Sequence, residues 1–251
     1  VIGSNAFDGE TTLSGELTIP SNVTNIGLRA FYGCWGIGDT VIPNTVTTMQ
    51  NEVFSMIGNE ALNKPTKHVT IGVETIPYRT FYRNFNLTGV TITSDVKYIG
   101  EQAFYITSLE SVDLPAVTGL GVSAFSSISS LTGVTVSSAL KNVGNGCFNA
   151  SSNLNSFNFV EGLESIGNNG FTSTALTEVN LPDSLKTIGS SAFQSIGELT
   201  GVVIPSGVTS IQGNAFNICV GLTGVTINCP TGSWVGTSAF NNTPAATYYV
   251  T

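Results

Sequence analysis

The sequence predicts a solenoid of about eleven coils with a period near 23 residues, a parallel β-sheet along one side and short helical turns and loops along the other. Three observations carry this. A phenylalanine recurs at Phe7, Phe31, Phe54, Phe81, Phe104, Phe125, Phe148, Phe171, Phe193, Phe216 and Phe240, at intervals of 21 to 27 residues. Five residues ahead of each stands an aliphatic side chain: Ile2, Ile26, Met49, Ile76, Ile99, Leu120, Val143, Ile166, Ile188, Ile211 and Val235. Eight residues ahead runs a second apolar column, Val23, Val46, Val73, Val96, Val117, Leu140, Leu163, Leu185 and Val208, which breaks at Gly232. Side chains that recur at such a long fixed period stack on their own copies, because one coil cannot bury them alone.

Residues 1–8 hold half a repeat, so the first residue reads as a cut end, and any export signal or anchor is expected outside this segment. Each later coil opens with a strand. The stretches "LTGVTI" at 87–92, "LESVDL" at 109–114, "LTGVTV" at 131–136, "LTEVNL" at 176–181, "LTGVVI" at 199–204 and "LTGVTI" at 222–227 alternate apolar and polar, the pattern of a half-buried strand. Pro20, Pro43, Pro115, Pro182 and Pro205 follow strands, where a missing N–H is harmless. Copies stacked about 4.8 Å apart form a parallel sheet. The Ile-Gly-x-x-Ala-Phe stretch is then the return side, with Gly permitting a tight bend, Ala a close approach, and Phe filling the interior. The segment 55–69, "SMIGNEALNKPTKHV", is an insertion, and 232–251 is a degenerate last coil. Residues 1–251 thus read as a single solenoid.

Charged residues make up only 10% of the chain, and Gly reaches 28, a composition suited to strands and turns. Sixteen acidic against eight basic residues give a net charge of −8, which repels phosphate backbones and argues against nucleic acid as a partner. No apolar run approaches the roughly 20 residues of a spanning helix, so no membrane insertion is expected of this segment.

The motif Leu-x-x-Val-x-Ile-Pro-x-x-Val-x-x-Ile-Gly-x-x-Ala-Phe resembles the BspA-type leucine-rich repeat, over essentially the whole chain. That family tends to place Cys three residues after the Phe; here Cys34 and Cys219 do so. The resemblance implies an α/β-type leucine-rich repeat solenoid, secreted or displayed at a cell surface. It also implies adhesion to a host or microbial protein, such as an extracellular matrix protein.

Outward strand positions form a Thr and Asn ladder that includes Thr91, Asp113, Thr135, Asn158 and Asn180. Without large exposed aromatics, this face does not suggest sugar stacking. Tyr78, Arg79, Tyr82 and Arg83, with Lys64 and Lys67 of the insertion, form a candidate binding patch, since Tyr and Arg are favoured at interface hot spots. Glu16, Asp39 and His68 fall on three successive rungs, and their types suit a metal.

Cys34, Cys147, Cys219 and Cys229 occupy different coils or phases and read as buried free thiols. The sequons at Asn22, Asn86, Asn149 and Asn241 would matter only in a eukaryotic secretory host. No nucleophile elbow or phosphate loop occurs. The reading that follows is a non-enzymatic, extracellular protein-binding module without a cofactor; the alternatives are a spacer with no ligand, or a metal site at Glu16, Asp39 and His68.

Overall fold

The computed structural model describes residues 1–56, 67–228, 234–244 and 247–250, with backbone alone at 234 and 247–250. The segment 57–66 of the insertion, including Lys64, and Cys229 and Gly232 in the last coil, lie outside the described residues.

The alternating stretches do form strands. They run from Gly15–Thr18, Ile37–Ile42, Lys67–Ile71 and Leu87–Ile92 through Ser111–Leu114, Gly133–Val136 and Ser156–Phe157 to Val179–Asn180, Gly201–Ile204, Gly224–Ile227 and Thr247–Val250. All hydrogen-bonded neighbours are parallel, and like positions pair, as in Val134 with Val112 and Val202 with Val225. This face is divided into three hydrogen-bonded groups, with breaks after Leu87–Ile92 and after Ser156–Phe157. Backbone bonds from Ser108 to Leu87 and from Glu110 to Thr88 bridge the first break.

The expected helical turns are absent among the described residues. Two other ladders take their place. From Ile76 onward the aliphatic column five residues ahead of the Phe lies in a second parallel sheet of two-residue strands, from Thr75–Ile76 and Tyr98–Ile99 to Ser210–Ile211 and Trp234–Val235, eight strands in order, while Ile26 and Met49 pair in a separate two-stranded ladder that Ile2 joins by a bridge. Around each Phe the chain then turns without helix, because the residues two before and two after it are left-handed. Arg29, Glu52, Arg79 and Gln102 take φ values from 51° to 58° at the first position, and Met56, Arg83, Ile106 and Ser127 from 54° to 60° at the second. A left-handed residue every fourth position prevents a helix from propagating. It also aims alternate N–H groups at the next turn: Arg79 donates to the Glu101 carbonyl, Phe81 to Ala103 and Arg83 to Tyr105, at 3.0, 2.7 and 2.8 Å.

The interior is a column of phenylalanines. Phe7 through Phe240 stack in order, with centroids 5.1 to 5.6 Å apart and ring planes within 17° of parallel. Counted as face strand, short strand and Phe together, the turns ending at Phe31 through Phe216 are complete, about nine rather than eleven. Phe7 has no face strand ahead of it in this chain, and the turn of Phe240 crosses residues outside those described.

Gly27, Gly100, Gly121, Gly144, Gly167, Gly189 and Gly236, each directly after the aliphatic column, have a different role from the bend expected. Their φ is not left-handed; instead there is no room beside them. A Cβ on Gly144 would stand 2.5 Å from the Leu120 carbonyl oxygen, and one on Gly167 2.6 Å from the Asn145 nitrogen.

Candidate protein-binding surface

Tyr78, Arg79, Tyr82 and Arg83 come together on the return edge of the third complete turn. Arg79 and Arg83 occupy the two left-handed positions beside Phe81, which splays their side chains outward on either side of it. The Arg79 guanidinium lies over two rings, 4.8 Å from the centroid of Tyr78 and 4.5 Å from that of Tyr82. Its Nε donates to Oε1 of Gln102 on the next turn at 2.6 Å. Tyr82 stacks on Tyr105 at 5.3 Å, and the exposed Arg83 lies 5.6 Å from the Phe85 ring. Cation–π contacts and a single amide acceptor thus hold the group in one arrangement before any partner arrives. A neighbouring pair continues the edge: Arg29 Nε bonds the Glu52 carboxylate at 2.6 Å and its guanidinium covers Tyr32.

Lys67 does not belong to this patch. It is only 3% exposed, because a bulge between Lys67 and His68 shifts the strand by one and pairs Lys67 with the inward Leu87. A one-residue slip carries a side chain from the outer face to the inner one. The polar ladder stands as the alternation indicates, with Thr91, Asp113, Thr135, Asn158 and Asn180 all exposed.

Glu16, Asp39 and His68 lie on successive rungs but do not converge. Asp39 Oδ1 accepts the His68 backbone N–H at 2.8 Å, closing the bulge, and His68 Nε2 meets Thr91 Oγ1 at 2.8 Å. Among the described residues, no three His, Cys, Asp or Glu side chains gather as a metal site.

Cys34, Cys147 and Cys219 are buried and free. Burial pushes the Cys219 thiol up to about 11 against the weaker pull of a backbone donor, and raises Cys147 further and Cys34 as well. Cys34 and Cys219 share a slot, three residues after Phe, that faces the Phe carbonyl of the preceding turn. Cys34 Sγ donates to Phe7 O at 2.8 Å and Cys219 Sγ to Phe193 O at 3.0 Å. Ser151 fills the same slot, donating to Phe125 O at 2.8 Å. Ile128 and Ile196 fill the same slot fully buried and without a side-chain donor, so the slot asks for bulk that fits more than for a thiol, and Cys need not recur.

Sequence reasoning passed over a cleft in the face at its second break, lined by Asn155, Phe157, Phe159, Thr177, Glu178 and Asn180 among others. The available signal was "LNSFNF" at 154–159, where Phe157 and Phe159 replace the Val and Ile of other coils.

Stacked parallel turns with an apolar spine and a polar sheet face define a leucine-rich repeat solenoid. The family model described as BspA type leucine rich repeat region, in six copies, matches residues 1–75, 74–200 and 118–247, and the chain belongs to that family. A leucine-rich repeat protein from Bacteroides ovatus is 23% identical, with the alignment covering 100% of this chain and 75% of that one at a TM-score of 0.69. Another from Eubacterium ventriosum is 24% identical over 86% of this chain and 67% of its own, with a TM-score of 0.60. These likenesses show the fold. A comparison with curated proteins finds no match.

Proposed function

We propose that the chain is a non-enzymatic, extracellular or cell-surface recognition module of the adhesion type. Its return edge around Arg79 engages a host or microbial protein, such as a matrix protein. The observation that carries this is the anchored Arg79, in cation–π contact with both the Tyr78 and Tyr82 rings and tied to Gln102, with Arg83 and Tyr105 beside it. Arg and Tyr fixed in advance lose little conformational freedom on binding, and such residues dominate interface energetics. On a chain of net charge −8, a local Arg cluster also selects an acidic segment of the partner. Family membership supports the protein-binding reading, and the continuous stacking supports treating residues 1–251 as one unit.

The test is surface plasmon resonance against a panel of extracellular matrix and cell-surface proteins. Arg79→Ala with Arg83→Ala is expected to weaken the best binder tenfold or more, and binding should weaken as salt is raised from 50 to 500 mM, conditions under which exposed charges are increasingly screened. Unchanged affinity in the double variant would remove the patch from the interface. A panel in which nothing binds would favour the spacer.

A further inference from the structure

We infer that the cleft at the second break of the sheet face is a binding site for a neutral oligosaccharide. It arises from one coil. Elsewhere the two inward strand positions hold residues such as Val134 and Val136 or Val202 and Ile204, whereas here they hold Phe157 and Phe159. The larger rings pack among Phe148, Phe171 and Phe193, 4.9 to 6.0 Å apart between centroids.

Their bulk shortens the face ladder toward the preceding turn, where only Ser156 and Phe157 pair with Gly133 and Val134, and ends it toward the following one. Toward the preceding turn, the Asn158 side chain replaces the backbone, with Oδ1 accepting from Val136 N at 2.7 Å and Nδ2 donating to Val136 O at 2.8 Å. Toward the following turn, Ser156–Phe157 and Val179–Asn180 are not paired at all. The opening is a cleft of about 420 Å³, within the roughly 300–1,000 Å³ of small-ligand sites.

Beneath it the turns stay at single-rung spacing. Phe171 and Phe193 are 5.5 Å apart, and Ile166 and Ile188 pair in register. Threading an extra strand through the gap would need about twice the ordinary 4.8 Å. A peptide cannot insert, so the occupant sits in the cleft from outside.

The lining selects its chemistry. Asn155, Thr177, Glu178 and Asn180 are exposed, and their side chains are not drawn into hydrogen bonds with the described residues. Amide donors, amide and hydroxyl acceptors and a carboxylate match the paired hydroxyls of a sugar. The partly exposed Phe159 offers an apolar floor for its C–H face. No Lys or Arg lines the cleft, and Glu178 repels anions, so sialylated or sulfated glycans are disfavoured.

The cleft is remote in sequence from Arg79, and this inference does not rest on the protein-binding reading. The experiment is a glycan array carrying neutral, sialylated and sulfated oligosaccharides, followed by calorimetry with the best ligand. Neutral glycans are expected to bind. Glu178→Ala and Asn180→Ala should each lower affinity tenfold or more. Phe157→Val with Phe159→Ile should close the cleft and abolish binding, while a cooperative melt shows that the variant folds. Arg79→Ala with Arg83→Ala should leave glycan binding unchanged. No neutral glycan bound at millimolar concentration, preference for charged glycans, or affinity that survives Glu178→Ala and Asn180→Ala would each overturn the assignment.

Discussion

Beside each marker phenylalanine stand two residues whose backbone is one L-amino acids avoid. Their identity announces it only in part: Asn5, Gly9, Gly33, Gly146, Asn169, Asn214 and Asn242 are types that prefer it, but Arg29, Glu52, Arg79, Ile106 and Ile218 share the same region, with φ of 51° to 61°. The conformation is imposed by the neighbouring turn, to which each donates its N–H, as Ile218 does to the Asn241 carbonyl at 3.0 Å. Ile218 is β-branched and 40% exposed, so its strain is offset by little burial. Ile218→Asn should therefore raise stability, by about 1 kcal/mol, in chemical denaturation. The thiols make a second prediction at this scale. A thiol whose folded pKa is raised contributes stability that is fully present below its unfolded value, about 8.5, and is lost as pH rises through the folded value. With Cys219 pushed up to about 11 and Cys147 higher, the melting temperature should fall from about pH 8.5 upward. Cys147→Ala with Cys219→Ala should start lower but fall less steeply across the same range. The Phe spine was legible in the sequence because a core residue repeats its type. The left-handed positions were not, because they repeat a backbone state across residue types as different as Asn214, Arg79 and Ile218.

Among the elements, the short strands were hidden for a related reason. Two residues such as Asn142–Val143 are too few to show alternation, and their regularity appears only across turns, where Val143 lies between Leu120 and Ile166. The Gly beside them is the visible trace. Gly144 keeps the second ladder at its spacing by having no Cβ, so Gly144→Ala should cost about 1–3 kcal/mol, as overpacking against rigid backbone does. Denaturant unfolding checks this. A loss within experimental error would mean that the ladder flexes. In the face strands the alternation was read correctly except where the register slips, at Lys67 and His68, and the pairing of the strands breaks where Phe157 and Phe159 hold the inward positions. Both exceptions bear on function: the first removes a cation from the candidate patch, and the second opens the cleft.

For the whole molecule, the sequence period implies the architecture because each turn can bury its apolar columns only against the turns on either side. Function was less legible. The Arg79 cluster could be named from residue types, but the approach of its guanidinium to both the Tyr78 and Tyr82 rings depends on the left-handed backbone at Arg79. The test closest to the central claim places spin labels along one column of the face, pairing Thr18 in turn with Thr91, Asp113, Thr135 and Thr226, and measures each distance by pulsed electron resonance. Turn-on-turn stacking predicts distances that grow steadily, by about 5 Å for each turn between the labels. Distances that level off, or that do not follow the order of the turns, would contradict it.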